Sequence, residues 1–217
     1  MLILVAHASI FFVENFALLA LAFLIQGIIS SAVYHRKFSH KSWECENLTL
    51  RLFSVLGLLS LTGSPISRTL VHRNHHAYED TEKDPHSPFH MPWYKIYFPM
   101  LFKRQPMSVF LVKDLIDDKF QVFLHTYYLR LILSMWICAF AADKQFFYTV
   151  SASSALLWFN IGVCNVFCHY PKLRDSSILG LLTFGEGYHR THHEKPKLQR
   201  FGYLDISYLL IRMFKTK

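Results

Sequence analysis

The chain has 217 residues, 52% of them apolar, with twenty phenylalanines and a formal charge of +8. Long apolar runs stand apart from basic ones, which sets aside an ordinary soluble domain and points to a single membrane domain spanning residues 1–217. No nucleic-acid module accompanies the charge, and Cys45, Cys138, Cys164 and Cys168 form no C-x-x-C pair, so a nucleic-acid partner, a zinc ribbon and a disulfide framework are not expected.

A spanning helix needs about 20 apolar residues. The first run, 1–13, is shorter. It has no basic n-region and no A-x-A-like cleavage site, so it reads as a retained membrane helix rather than a signal peptide. Glu14 and Asn15 end it, and 16–34 follows as a good span. Gly27, Ser30, Ser31 and Ala32 lie on this span. Small residues there leave internal space or serve close helix packing equally well. The motif HRKFSH then places His35 and His40 five residues apart. That is about 140° around an α-helix, so both can face one metal centre only if the helix ends or bends between them.

Leu48–Leu61 is an apolar stretch of fourteen residues, soon followed by Gly63 and Pro65. It is too short for a full crossing and reads as a buried or interfacial helix. A crossing here would strand His35 and His40 on the opposite side from the next motif, HRNHH. That motif holds His72, His75 and His76 at i, i+3, i+4, on one helix face. Residues 85–106, with five prolines, read as an irregular loop, and Val109–His125 as an amphipathic helix against the membrane.

Residues 127–142 and 146–167 are the remaining spans, joined by a polar turn at Asp143 and Lys144. The last span carries NVFCH, with Asn165 and His169 at i, i+4. GEGYHRTHH follows, with His189, His192 and His193 again at i, i+3, i+4. Of 23 Lys and Arg residues, 12 lie between Arg36 and Lys119 and 9 between Lys172 and Lys217. The positive-inside rule then puts both polar segments, the termini and the histidine motifs on the cytoplasmic side. The expected fold is all-α and multi-pass. Four membrane helices in two hairpins carry a cytosolic helical cap built from 35–126 and 168–217. Arg36, Lys37, Lys172 and Arg174 satisfy the same rule and are also placed to meet a phosphate.

Nine of the thirteen histidines fall in these four motifs. Neutral imidazole binds Zn, Fe, Cu and Ni, and one ion rarely takes more than about six ligands, so nine point to two metals. His7, His86, His90 and His125 read as non-ligands. Metal-bound histidine usually gives its other N–H to a carboxylate or carbonyl. Glu79, Asp80, Asp84, Glu186 and Glu194 stand near enough in sequence for that, although Glu79 and Glu82 read more simply as a solvated acidic loop.

HRKFSH, HRNHH and GEGYHRTHH resemble the three histidine boxes H-x4-H, H-x2-HH and H-x2-HH of membrane fatty acid desaturases. DTEKDPHSP after the second box and GEGYH at the third resemble the delta-9, stearoyl-CoA desaturase-like group, and NVFCH resembles its N-x3-H. The resemblance runs from about Gln26 to Phe201. It implies two iron ions held by His35, His40, His72, His75, His76, His169, His189, His192 and His193, with Asn165 reaching one iron through a water. It also implies dioxygen as co-substrate and a cis double bond, of delta-9 position, in a long-chain acyl substrate carried on coenzyme A, acyl carrier protein or a glycerolipid. No fused cytochrome b5 domain follows the third box, so a separate electron donor such as ferredoxin or cytochrome b5 is expected. Arg68 stands where many relatives carry Trp, at the bend of the substrate tunnel expected along Gly27, Ser31 and Arg68. The chemistry agrees with iron: an unactivated methylene needs a strong oxidant, which redox-inert zinc does not supply. The competing readings are a membrane di-iron hydroxylase or ketolase of a lipid or alkane, and a non-catalytic membrane metal binder. The latter would want polar residues lining a path through the spans.

Overall fold

Side-chain caps set the two longest helices. Asn15 accepts a hydrogen bond from the Leu18 N–H at 3.0 Å and starts α2 (Phe16–Ile29), which runs without a break into a π-helix, Ser30–Ser39. Asp143 accepts from the Phe146 N–H at 2.6 Å and starts α9 (Lys144–Phe167). Phe16–Ser39 and Lys144–Phe167 are each 24 residues long and apolar enough to cross a bilayer. This computed structural model describes residues 2–102 and 106–216, and no strand occurs among them.

The other expected spans take a less regular form. α1 (Leu2–Ser9), extended by a 3-10 turn at Ile10–Phe12, remains shorter than a bilayer crossing. α8 (Tyr128–Ala142) meets the length and hydropathy of a span only together with α7 (Lys119–Thr126), from which it bends by 69°. The described residues thus hold two membrane-length helices, or up to four if each bent pair counts as one span. α1, α2 and α8 all pack on α9. The buried run Ser151–Ala155 on α9 explains how: small side chains let neighbouring backbones approach. Large apolar side chains point outward from the same helices, Phe11 being 88% and Ile137 67% exposed, as lipid-facing residues do.

Leu48–Leu61 does not separate the histidine motifs. α3 (Asn47–Leu56) tightens into a 3-10 turn at Gly57–Ser60, and Leu61 takes a left-handed φ of 57°. Ser64 then caps α4 (Pro65–Ala77), with proline at its first position, and the chain folds back through 77°. The Tyr34 hydroxyl donates to the Ser54 carbonyl at 2.6 Å and pins α3 to the π-helix. Arg73 fixes α4 beside the end of that π-helix. Its Nε donates to the Ser39 carbonyl at 2.9 Å, its Nη2 to the Phe38 carbonyl at 2.5 Å, and its Nη1 to Asp114 at 2.7 Å.

Two local expectations change. The helix expected over Val109–His125 is a 3-10 turn (Val109–Val112), α6 (Lys113–Ile116) and α7, broken where Asp118 caps α7 through the Phe120 and Gln121 N–H groups. The proline-rich loop contains a short helix, α5 (Trp93–Tyr97), braced by the Trp158 indole donating to the Tyr97 carbonyl at 2.7 Å. Three short helices complete the chain: α10 (Ser177–Leu182), α11 (His189–Glu194) and α12 (Ser207–Phe214).

Candidate metal centre

His35 and His40 meet at a helix end, as expected, with one addition to the expected geometry. The helix both widens and ends between them: the π-helix stops at Ser39 and His40 caps it. A π-helix closes i→i+5 hydrogen bonds, so residues five apart return to one face. The His40 N–H accordingly bonds the His35 carbonyl at 3.3 Å, and the two Nε2 atoms lie 3.1 Å apart.

All nine histidines of the four motifs converge on two adjacent groups. The first gathers His35, His40, His72, His76 and His192, whose inward nitrogens lie within 4.8 Å of one another. Their Nε2 atoms form a closed ring: His35–His40 3.1 Å, His40–His72 2.8 Å, His72–His76 3.0 Å, His76–His192 2.8 Å and His192–His35 3.2 Å. The second gathers His75, His169, His189 and His193, with His169–His189 at 2.8 Å and His75–His193 at 3.3 Å. α4 sends His72 and His76 to the first group and His75 to the second. α11 does the converse, sending His192 to the first and His189 and His193 to the second.

Five of the nine outer ring nitrogens face oxygens. His75 Nδ1 donates to Asp84 at 2.8 Å, His169 Nδ1 to Asp80 at 3.0 Å and His189 Nδ1 to the Glu186 carbonyl at 3.1 Å. His193 Nδ1 faces Glu79 at 2.9 Å, and His35 Nδ1 touches Glu186. These oxygens hold the proton on Nδ1 and leave a lone pair on Nε2. Lone pairs crowded to about 3 Å repel unless something positive sits among them. Bonds of about 2.1 Å, as between imidazole and zinc, put right-angle neighbours about 3.0 Å apart. The donor set and its spacing therefore fit a metal ion in each group.

Glu79 is thus drawn into the site rather than left in a solvated loop, and its contact with His193 holds its carboxyl below the usual range. Glu194 points away: it is exposed and approaches Arg190 at 4.0 Å. Three of the four other histidines have structural partners, His7 with Tyr97, His125 with Ser64 and His90 with the Asp80 carbonyl. His86 is buried and stacks on His75 at 4.1 Å, outside both groups. Asn165 lines the cavities beside the site, together with Arg68.

Arg36 is the residue that sequence reasoning misplaced. It does not face a phosphate but is fully buried, paired with Asp205 at 2.8 Å and donating to Ser31 and Ser207 at 2.5 Å each. Ser31 also bonds Glu186 and the Phe184 carbonyl, so it is a hydrogen-bonding hub as well as a cavity wall. Gly27 lines the same inner cavity, but a Cβ there would meet the Phe184 ring at 2.0 Å, so the packing role is real.

The GEGYH motif has a steric logic. Gly185 has a φ of +100°, and a Cβ there would meet Asp205 at 2.4 Å and Arg36 at 2.5 Å. At Gly187 a Cβ would lie 2.2 Å from the Gly180 backbone nitrogen, and backbone cannot swing aside. Gly187→Ala is expected to cost roughly 1–3 kcal/mol by pushing α10 off the start of α11. A lowered thermal midpoint in detergent would show it, and an unchanged midpoint would contradict the contact.

Burial holds His40 down to about 2 and pushes His72, His75, His76, His189 and His192 well below the ordinary value, with neighbouring imidazoles adding to the effect. All therefore stay neutral donors at neutral pH. The unfolded chain takes up protons below about pH 6.5 while the fold does not. Stability of the metal-free protein is thus complete above that pH and falls as pH drops through it, by up to about 1.4 kcal/mol per unit per histidine. Thermal unfolding of chelator-treated protein between about pH 7.5 and 5 reads this, and a flat midpoint would contradict it.

The sequence matches the fatty acid desaturase family over residues 12–215. It is 29% identical over 214 residues to delta-9 acyl-lipid desaturase 2 of Arabidopsis thaliana, covering 90% of this chain and 70% of the relative. It is 31% identical over 195 residues to acyl-CoA desaturase 1 of Saccharomyces cerevisiae, covering 80% and 38%. It is 27% identical over 205 residues to the sn-2 palmitoyl-lipid 9-desaturase of a Nostoc species, covering 84% and 72%.

Proposed function

Because the chain belongs to the fatty acid desaturase family, we propose that it is an oxygen-dependent acyl desaturase forming a cis double bond, of delta-9 position, in a long-chain acyl substrate. The observation that carries this reading is the gathering of nine imidazoles into groups of five and four. His35, His40, His72, His76 and His192 would hold one iron and His75, His169, His189 and His193 the other, with Asn165 reaching one through a water. Two irons with dioxygen would supply an oxidant strong enough for an unactivated methylene.

The chain's own residues do the remaining work. Asp80, Asp84, Glu79 and Glu186 orient the imidazoles and keep their protons on the outer nitrogens. Apolar walls from Leu61, Val71, Trp158 and Ile161 exclude water and place the chain by shape, since a methylene offers no polar handle. Two hydrogens leave adjacent carbons; with two electrons and two protons from outside, one dioxygen becomes two waters. A separate donor such as ferredoxin or cytochrome b5 would deliver those electrons at the basic cytoplasmic face. In this reading four membrane helices carry the cap on that face. The relatives' names differ in carrier, acyl-lipid in the plant and acyl-CoA in yeast, so both carriers enter the test.

Expression in a host lacking its own desaturase, followed by fatty acid analysis, tests the proposal. Monounsaturated fatty acid appearing only in air is expected. A hydroxylated or keto product would favour the other membrane di-iron chemistry, and zinc as native metal without oxygen uptake would favour a metal binder.

A further inference from the structure

Two cavities meet beside the histidines. The outer one, about 300 Å³, is walled mainly by apolar side chains from α1, α4, α8 and α9, and the inner one, about 30 Å³, adjoins His35, His72 and His189. Arg68, Ile161 and Asn165 line both and so form the neck between them.

Arg68 is out of place in such a wall. Among the described residues lining the two cavities it is the one Lys or Arg, and Glu186 is the one acid. Glu186 is already committed to His35, Ser31 and Arg36. No carboxylate lies within ion-pair distance of Arg68 among the described residues, unlike Arg36 or Arg73, each of which has its own acid. A guanidinium that only shares the more distant charge of Glu186, set against apolar walls, is costly unless a ligand supplies a direct partner. Its planar fork matches a carboxylate. A cation at the neck and an apolar chamber outside it complement a molecule with an anionic head and a hydrocarbon tail.

We propose that the neck is a binding site for an unesterified long-chain carboxylate, held head-inward on Arg68 with its tail in the outer cavity. In that pose the carboxyl end, not the middle of the chain, lies beside the histidines. The bound acid then blocks the cavity against the esterified acyl substrate. This competition rests on the desaturase reading; the binding itself does not, and it is measured whether or not the protein turns over.

The test uses the full chain, purified with its native metal in a non-ionic detergent, and equilibrium binding of palmitate, methyl palmitate and hexadecanol. Palmitate is expected to bind at least roughly ten-fold more tightly than the two uncharged probes, as a charge-assisted pair to guanidinium would give. Arg68→Gln should remove that preference and leave the weak binding of the uncharged probes; Arg68→Lys should keep most of it. Equal affinity for all three probes in the unaltered protein would overturn the proposal without any variant. An undiminished preference in Arg68→Gln, with metal content unchanged, would overturn it as well. Absence of desaturation with palmitate binding intact would instead count against the desaturase assignment alone.

Discussion

His76→Ala and His75→Ala, one residue apart, are each expected to remove about one iron per chain, but from different groups. Elemental analysis should fall from about two irons to about one in either variant, and the double variant should approach none. The reason lies in α4: at i, i+4, His72 and His76 face one group, while His75 at i+3 faces the other. α11 mirrors this, so His192→Ala should behave like His76→Ala, and His193→Ala like His75→Ala. Desaturation should fall at least about 100-fold in all of them, since losing a ligand costs more than the 10–100-fold typical of a supporting contact. A single shared ion would lose everything in each single variant. Equal partial losses in the double variant would also contradict two separate sites.

How far this arrangement was legible in the sequence differs from element to element. The two triplets at i, i+3, i+4 showed one-faced helices, because an α-helix converts spacing directly into direction. The division of each triplet between two groups was not legible, since it depends on which histidines of α4 meet which of α11. The spacing of His35 and His40 pointed to a break. That break is present, since the helix ends at Ser39, but the spacing does not display the wider helical turn of Ser30–Ser39 that precedes it. Spans were visible where hydropathy is continuous, as in 16–34 and 146–167. They were less so where a 69° bend divides the apolar stretch at Tyr127. The acids misled in both directions. Glu79 sits in an open-looking acidic loop yet faces His193, while Glu194, adjacent to that histidine in sequence, faces solvent.

Arg36 had no signal beyond its position next to His35, and it supports the second large expected effect. Arg36→Met should destabilise the protein by roughly 3–5 kcal/mol, because it leaves Asp205 buried without its partner. For a chain of this length that is roughly 10 °C in thermal midpoint. Arg36→Lys should rescue little: one ammonium cannot reproduce the planar fork that reaches Ser31, Ser207 and Asp205 together. Arg36→Met combined with Asp205→Leu should recover much of the loss, since removing both charges avoids an uncompensated one. The consequence reaches the metal centre through two contacts. Glu186, which touches His35, lies 3.6 Å from the guanidinium, and Phe201, stacked under Arg36 at 4.1 Å, packs against His192 at 4.9 Å. Both affected histidines belong to the five-membered group. Arg36→Met should therefore weaken iron retention there while the four-membered group keeps its ion, and chelator competition would resolve the two. Uniform loss of both ions in step with unfolding would reduce Arg36 to a purely structural residue.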